Sequence, residues 1–252
     1  MYRFYVEPAM VKGQDIQLSG EDYNHIRNVL RMRPGEEITI CDGACTDYHC
    51  VVDGFGSDFV KARILSSASS AAELPVKLVL FQGIPKKDKM EFIIQKAVEL
   101  GASEIVPVMT ARTIVKLEDA KKEQKKLERW QAIARAAAMQ SMRGIIPKVQ
   151  PVMGYGQALE YAAGLDMALI PYENAEGIGY TRQLLGQLRE GNPSEIRSVG
   201  VLIGPEGGFC EEEVSQAEGL GIKPVTLGKR ILRTETAGLV MLSLLMFELE
   251  KE

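Results

Sequence analysis

The feature that most constrains the fold is an alternation of short apolar runs with amphipathic segments after residue 75. The apolar runs have the length of strands and cover 76–82, 104–109, 167–170, 199–203 and 224–227. The segments between them have helical periodicity and cover 89–100, 121–142, 157–163, 181–189 and 211–220. Strands that alternate with helices form a mostly parallel sheet covered on both faces. We therefore predict an α/β domain.

The first 65 residues have a different pattern, in which short apolar blocks are separated by turn residues. Asp42-Gly43 and Asp53-Gly54 are typical of chain reversals, because glycine adopts positive φ at low cost. The predicted strands are 37–41, 48–52 and 59–65. One short helix is predicted at 21–30, so this part is a small all-β unit.

A run of small residues at 66–72, SSASSAA, separates the two patterns. It has no hydrophobic periodicity to bury, which is typical of a linker. We predict the domain boundary there, so that residues 1–70 form the first domain and residues 74–252 the second.

Composition excludes several classes of protein. The longest nearly apolar run, 238–247, is too short to cross a bilayer, which takes about 20 residues. The amino terminus lacks the basic start and apolar block of a secretory signal, and four cysteines in 252 residues are too few for a disulfide scaffold. We predict a cytoplasmic protein with no membrane partner.

The formal net charge is −4, but the charges are unevenly distributed. Residues 77–150 hold fifteen Lys or Arg against eight Asp or Glu, whereas residues 151–222 hold three against eleven. The first region is suited to a polyanion such as a nucleic acid. The lysine run at 121–126 is flanked by glutamates, and the simpler interpretation of that run alone is the solvated face of a helix.

The last segment, 234–250, has apolar side chains around nearly its whole circumference. A helix of this kind must be buried. Two interpretations fit equally well: a core helix within one chain, or half of a subunit interface.

A glycine loop follows one apolar strand directly and precedes a helix whose first turn holds three glutamates. Its residues are Gly204, Pro205, Glu206, Gly207 and Gly208. Glycines allow a ligand to contact backbone amides, and open α/β sheets bind ligands beyond the carboxyl ends of their strands. The loop is neither a dinucleotide nor a triphosphate motif, and its acidic residues would repel phosphates. We predict a site for a small ligand with a positive centre, with a tight turn without ligand as the alternative.

The next strand is also followed by a loop and a helix, with the sequence LGKRILRTETA. Thr234 or Thr236 is suited to cap that helix. Arg233 is unusual, because a cation at the start of a helix is disfavoured unless something outside pairs with it. The two candidates are a salt bridge to Glu206 or Glu235 and a contact with the substrate.

Several chemistries lack the residues they need. Both histidines, His25 and His49, lie in the β unit, and no GxSxG motif occurs, so nucleophile–histidine catalysis is a poor fit. Cys41, Cys45, His49 and Cys50 superficially resemble zinc ligands. Their spacing is unusual, and strand alternation would send His49 and Cys50 to opposite faces, so we predict no metal.

The two loops resemble the carboxyl-terminal signature of the RsmE family of SPOUT methyltransferases. The matching segments are 202–208 (LIGPEGG), 227–237 (LGKRILRTETA), 89–101 (KMEFIIQKAVELG), 140–143 (QSMR) and 25–35 (HIRNVLRMRPG). These segments extend over almost the whole chain, and their joint order and spacing are highly specific.

The resemblance implies a small N-terminal PUA-like β-barrel that binds RNA, followed by a C-terminal α/β SPOUT domain with a trefoil knot. It implies S-adenosylmethionine as the cofactor and a homodimer. The implied reaction is methylation of uracil N3 in 16S ribosomal RNA, either free or in the assembling small ribosomal subunit. The alternatives are a SPOUT methyltransferase that acts on another base or a ribose 2′-oxygen, and a non-catalytic RNA-binding assembly factor.

The resemblance also suggests roles for individual residues. The expected cofactor-binding residues are Leu202, Ile203, Gly204, Pro205, Glu206, Gly207, Leu227, Gly228, Ile231, Leu232 and Thr234. We expect Leu227 and Leu232 beside the adenine and Glu206 on the sulfonium side. Arg233 is the expected catalytic residue, because the uracil acquires negative charge as it reacts and needs a cation nearby. The expected RNA-binding residues are Arg3, Arg27, Arg31, Lys86 and Lys87.

Overall fold

The computed structural model describes residues 2–114, 120–173, 175, 177–190 and 196–250. The chain divides into two compact units. The first comprises Met1–Glu73 and Ala138–Ile146, and the second comprises Leu74–Ala137 and Pro147–Glu252. Within the described ranges, no helix is both long and apolar enough to span a membrane.

The first unit is built on one six-stranded sheet. Its strands are β1 (Tyr2–Tyr5), β2 (Val11–Lys12), β3 (Asp15–Ser19), β4 (Glu37–Cys41), β5 (Thr46–Phe55) and β6 (Phe59–Ser69). They lie in the order β1-β4-β5-β6-β3-β2, with β1 parallel to β4 and the other neighbours antiparallel. A 3₁₀ turn covers Pro8–Met10, and the short helix α1 (Glu21–Asn24) continues into a π-helical turn at His25–Val29.

The expected chain reversal at Asp53-Gly54 is wrong. Strand β5 runs on to Phe55, with a register shift against β6 between Val52 and Gly54. Such a bulge uses the freedom of glycine within a strand instead of at a turn. The reversal comes next, where the Gly56 amide donates a hydrogen bond to the Phe59 carbonyl (2.8 Å).

The expected linker at 66–72 is also wrong in its first half. Residues 66–69 are the end of β6 and pair with 46–49 of β5. Backbone pairing holds this segment in a strand although its small side chains are exposed and bury little apolar area.

A segment from the middle of the chain completes the first unit. The Glu73 carboxylate accepts hydrogen bonds from the Arg143 guanidinium (2.8 and 2.6 Å) and from the Gly144 amide (2.7 Å). The Tyr5 hydroxyl donates to the Ala138 carbonyl (3.1 Å). Side chains of the first unit therefore hold residues 138–146 in place.

The second unit contains a seven-stranded parallel sheet. Its strands are β7 (Lys77–Gly83), β8 (Ala102–Met109), β9 (Lys148–Val149), β10 (Met153–Gly154), β11 (Met167–Pro171), β12 (Ser198–Ile203) and β13 (Lys223–Val225). Their order is β10-β8-β7-β12-β11-β13, with β9 paired to β8. The predicted α/β class is confirmed, whereas the two-residue strands β9 and β10 were not predicted, because such short strands have no readable periodicity.

In the described part of the chain, six helices accompany this sheet. They are α2 (Lys89–Glu99), α3 (Ala120–Gln140), α4 (Tyr155–Ala163), α5 (Ile178–Glu190), α6 (Glu211–Gly219) and α7 (Thr234–Leu249). The apolar helix α7 packs against α2, α5 and β12. It buries Met241, Leu242 and Leu245, but Leu244 and Phe247 are 39% and 79% exposed. One chain thus buries only part of α7.

Candidate functional site

A cavity of about 620 Å³ lies where the parallel strands end. Parallel strands bring the loops at their carboxyl ends to one edge of the sheet, which is where open α/β sheets bind ligands. Ten of the eleven residues expected to bind the cofactor line this cavity: Ile203, Gly204, Pro205, Glu206, Gly207, Leu227, Gly228, Ile231, Leu232 and Thr234. Arg233 lines it as well.

Leu202 is the residue that does not line the cavity. Its side chain is 2% exposed and packs with Phe81, Val106 and Val214 in the core of the sheet. Alternation along β12 turns it away from the face occupied by Ile203. Its expected contact with the cofactor does not fit this position.

The loop 204–208 forms the first wall of the cavity, and close packing requires its glycines. A Cβ atom added at Gly204 would lie 2.9 Å from the carbonyl carbon of Gly208, and one at Gly207 would lie 3.1 Å from the Cβ atom of Arg112. Gly208 has a φ of +66°, which residues with a side chain rarely adopt. The loop therefore presents bare backbone to the cavity.

The Glu206 carboxylate ties this loop to the start of α2. It accepts hydrogen bonds from the Lys86 amide (3.1 and 3.2 Å) and pairs with the Lys89 ammonium (3.1 Å). Burial opposes its charge, but backbone hydrogen bonds and Lys89 outweigh burial and hold the pKa of Glu206 below its usual range. Lys89 also pairs with Glu235 (3.3 Å). Among the described residues, Arg233 forms no salt bridge with Glu206 or Glu235, because both carboxylates pair with Lys89 instead.

A buried polar contact joins the first loop to α7. The Thr234 hydroxyl donates a hydrogen bond to the Gly204 carbonyl (2.6 Å) and accepts one from the Gln82 side-chain amide (2.9 Å). The predicted capping of α7 by Thr234 or Thr236 is wrong. Arg233 occupies the N-cap position without a side-chain hydrogen bond to the helix. The threonine hydroxyl instead fixes the two loops to each other.

The loop between β13 and α7 forms the second wall. Thr181 of α5 holds its start, since its hydroxyl accepts a hydrogen bond from the Thr226 amide (3.1 Å) and donates one to the Thr226 carbonyl (3.0 Å). Further along, the backbone amides of Leu227, Ile231 and Leu232 donate no hydrogen bond to any described residue. Unpaired amides beside a cavity are available to a ligand.

The loop after β8 forms a third wall, which sequence reasoning missed. Buried Glu213 accepts hydrogen bonds from the amides of Ala111 (2.8 Å) and Cys210 (2.9 Å), so it holds this loop beside the start of α6. The Arg112 side chain lines the cavity and donates a hydrogen bond to the Gly207 carbonyl (2.6 Å). The only signal in the sequence is a basic residue shortly after the end of a buried strand.

The cavity lining is basic, although the acidic first loop suggested the opposite. Its charged residues are Lys89, Arg112, Lys229, Arg230 and Arg233 against Glu173 and Glu206. Arg233 is exposed, and its side chain has no hydrogen bond or ion pair with a described residue. It is thus a free cation at the cavity.

Lys86 and Lys87 precede Asp88, the N-cap residue of α2, and both side chains are exposed. The Lys86 amide is used by Glu206, but its ammonium group has no partner among the described residues. Lys87 has a φ of +57°. The Lys86 backbone therefore contacts the first loop of the cavity, and Lys87 is the next residue in the chain.

The arginines expected to bind RNA in the first unit differ in availability. The Arg3 side chain is 11% exposed and forms two hydrogen bonds with the Asp47 carboxylate (2.9 and 2.7 Å). The expected contact of Arg3 with RNA does not fit this pair, because its charge is already neutralised. Arg27 and Arg31 are exposed, and the Arg27 guanidinium lies over the Tyr23 ring, 5.5 Å from its centroid.

None of the four cysteines lines the cavity, and Cys210 occupies the N-cap position of α6. Burial raises the pKa of the Cys41 and Cys50 thiols to about 11, so both stay protonated at neutral pH. His49 pairs with Glu37 (3.0 Å). No group of three or more His, Cys, Asp or Glu residues that would hold a metal occurs in the described ranges.

Comparisons with known proteins agree with this arrangement. A family model described as an RNA methyltransferase domain matches residues 72–246, and one described as an RNA methyltransferase PUA domain matches residues 18–65. The chain is 35% identical to ribosomal RNA small subunit methyltransferase E of Bacillus subtilis, over 99% of this chain and 98% of that protein. It is 38% identical to the protein of the same name from Mesomycoplasma hyopneumoniae, over 96% and 98%.

A solved structure is similar over the same length. The crystal structure of ribosomal RNA small subunit methyltransferase E from Neisseria gonorrhoeae, bound to S-adenosyl methionine, superposes with a TM-score of 0.79. The two chains are 36% identical, with 96% of this chain and 95% of that chain covered. The chain therefore belongs to the RNA methyltransferase family of ribosomal RNA small subunit methyltransferase E, with an N-terminal PUA-like domain and a C-terminal SPOUT-type methyltransferase domain.

Proposed function

We propose that this chain methylates N3 of a uracil in 16S ribosomal RNA, with S-adenosylmethionine as the methyl donor. The observation that carries the proposal is a cavity with one wall of bare backbone, a second wall with unpaired amides, and Arg233, whose side chain has no partner among the described residues, at the start of α7. The relatives named above act on small-subunit ribosomal RNA by name, and the gonococcal relative binds the same cofactor.

The residues of the cavity fit the cofactor. Its volume of about 620 Å³ lies within the range of small-molecule sites, roughly 300–1,000 Å³. The amides of Leu227, Ile231 and Leu232 supply hydrogen-bond donors, and Ile203, Leu227 and Leu232 supply apolar surface for the adenine ring. Glycines in the first loop leave room for close approach. When bound, the cofactor supplies a methyl group on a positively charged sulfur.

The protein contributes alignment and charge to this reaction. Uracil N3 lies on the pairing edge of the base, so the target is unpaired or flipped when it reaches the cavity. As N3 loses its proton, negative charge develops on the uracil, and we assign its stabilisation to the Arg233 guanidinium. No covalent intermediate is needed, which agrees with the absence of a nucleophile–histidine pair from the residues that line the cavity.

We assign RNA recognition mainly to residues 1–70 and methyl transfer to residues 74–252, acting in the cytoplasm. We also propose that the second unit contains a trefoil knot and that the chain acts as a homodimer. Two observations support a second copy against α7 and α2: Phe247 is 79% exposed and Phe92 is 46% exposed. Large apolar side chains of this kind are typical of surfaces that a partner covers.

Mass spectrometry tests the reaction itself. Purified protein, S-adenosylmethionine and unmodified 16S ribosomal RNA or small subunits are incubated, and the RNA is digested to nucleosides. We expect 3-methyluridine to be the single methylated nucleoside that the reaction adds. A methylated ribose or another methylated base would indicate the alternative SPOUT activities, and no methylation would indicate an assembly factor.

Glu206 offers a prediction about how the cofactor is held. Because its carboxylate already pairs with Lys89, we expect Glu206 to act by fixing the loop through the Lys86 amide. Glu206→Ala is then expected to weaken binding of S-adenosylhomocysteine roughly tenfold, the value of a lost hydrogen bond to a charged group. Glu206→Gln keeps an acceptor for this amide and is expected to lose less than threefold, by titration calorimetry.

The two variants separate the structural role from a direct charge effect. If Glu206→Gln lost as much affinity as Glu206→Ala, the charge itself would be required near the sulfonium. Glu211→Ala removes an exposed glutamate from the first turn of α6 and serves as the matched control.

RNA binding by the first unit is expected to depend on salt. The double variant Arg27→Ala/Arg31→Ala removes two exposed cations. We expect weaker binding to ribosomal RNA and a salt slope reduced by about 1.4, if each arginine contacts one phosphate of a single strand. Fluorescence anisotropy over a series of potassium chloride concentrations measures the slope. An unchanged slope would contradict the role of both residues. Arg63→Ala is the control, because Arg63 is an arginine of the same unit that pairs with Asp53.

A further inference from the structure

Arg112 extends from a loop that is held rigidly. The Thr113 hydroxyl accepts a hydrogen bond from the Thr110 amide (3.0 Å), and the Thr113 amide donates to the Thr110 carbonyl (3.1 Å). The Ala111 amide is bound by the buried carboxylate of Glu213. Both neighbours of Arg112 are therefore anchored by hydrogen bonds.

The Arg112 side chain is itself positioned before any ligand binds. Its stem packs on Gly207 so closely that a Cβ atom there would lie 3.1 and 3.2 Å from the Cβ and Cδ atoms of Arg112. Its Nη1 group donates to the Gly207 carbonyl (2.6 Å), which uses one of the five N–H groups of a guanidinium. Glu212 lies within electrostatic reach, but no carboxylate in the described ranges forms an ion pair with Arg112.

We propose that Arg112 binds the α-carboxylate of the cofactor's amino-acid tail, which rests on the proposed function above. A guanidinium matches a carboxylate with two parallel hydrogen bonds, and a positioned one loses little freedom on binding. The other cations of the cavity are less suitable. Lys89 is held by two carboxylates, and Lys229 and Arg230 have no anchoring side-chain contact with a described residue.

Two ligands that differ in this carboxylate test the assignment. S-adenosylhomocysteine carries the amino-acid tail, whereas 5′-methylthioadenosine keeps the adenosine and the thioether but lacks the tail. For Arg112→Ala we expect affinity for S-adenosylhomocysteine to fall roughly tenfold to a hundredfold, the range for hydrogen bonds between charged groups. Affinity for 5′-methylthioadenosine is expected to change less than twofold. Titration calorimetry on the full chain measures both, and Arg112→Lys is expected to recover part of the loss.

Other outcomes overturn the assignment in distinguishable ways. Equal losses for both ligands would show that Arg112 only positions the Gly207 loop. Unchanged affinity for both, with weaker binding of RNA, would indicate a phosphate contact instead. If the wild-type protein bound neither ligand, the proposed cofactor would be rejected and the Arg112 assignment with it. Arg182→Ala, an exposed arginine of α5 outside the cavity, controls for loss of surface charge, and thermal melting controls for folding.

Discussion

Arg233→Ala is expected to slow methylation of 16S ribosomal RNA roughly a hundredfold to a thousandfold while leaving affinity for S-adenosylhomocysteine within twofold of wild type. Arg233 stands at the N-cap of α7, is exposed, and its side chain makes no contact within the described ranges that would neutralise it. A cation beside the reacting base stabilises the charged uracil of the transition state more than the neutral base of the ground state. Single-turnover methylation at saturating cofactor measures the effect on the chemical step.

The split between rate and affinity is what identifies the role of Arg233. Arg233→Lys keeps the charge without the planar guanidinium, and we expect it to recover part of the rate. A normal single-turnover rate for Arg233→Ala would remove Arg233 from the mechanism. A loss of cofactor affinity as large as the loss of rate would make it a binding residue. Arg182→Ala on α5 is the matched control outside the cavity.

The sequence predicts the second unit better than the first. Strands β7, β8, β11 and β12 are largely buried, and buried parallel strands are mostly apolar in sequence. These apolar runs can therefore be told from the amphipathic helices in the sequence. The end of β6 at 66–69 consists of exposed small residues, and only its pairing with β5 makes it a strand. A pattern of side chains does not record backbone pairing, which is why this segment resembled a linker.

The candidate site, like the fold, could be predicted from the sequence only in part. The loops 204–208 and 226–233 could be predicted from the sequence, because each directly follows an apolar strand-length run and contains glycine or an unusual cation. The roles of Arg112, Glu213 and Gln82 could not be predicted from the sequence, because their hydrogen-bond partners are distant in the chain. The contact between Ala111 and Glu213 spans 102 residues, and that between Gln82 and Thr234 spans 152. Long-range contacts of this kind follow from the topology of the sheet, which a single sequence does not specify.

The segment 138–146 depends on one buried ion pair more than on any apolar pattern. Arg143 is 3% exposed, and its guanidinium forms two hydrogen bonds with the Glu73 carboxylate, which is 13% exposed. The same carboxylate accepts hydrogen bonds from the amides of Gly144 (2.7 Å) and Ile145 (3.2 Å). Removing Glu73 is costly, because the buried Arg143 guanidinium loses two hydrogen bonds and the Gly144 and Ile145 amides lose their acceptor.

Glu73→Ala is therefore expected to lower the free energy of unfolding by about 3–5 kcal/mol, measured by urea denaturation followed by circular dichroism. Hydrogen exchange should show the loss of protection first at the amides of Gly144 and Ile145, which the carboxylate binds. Glu73→Leu combined with Arg143→Met replaces both charges by apolar groups and should recover the part of the stability lost through the buried charge, but not the part lost at the two amides. Asp15→Ala, which breaks the exposed pair with Lys61, should have a far smaller effect. If Glu73→Ala were no more harmful than Asp15→Ala, the ion pair would not be what holds this segment.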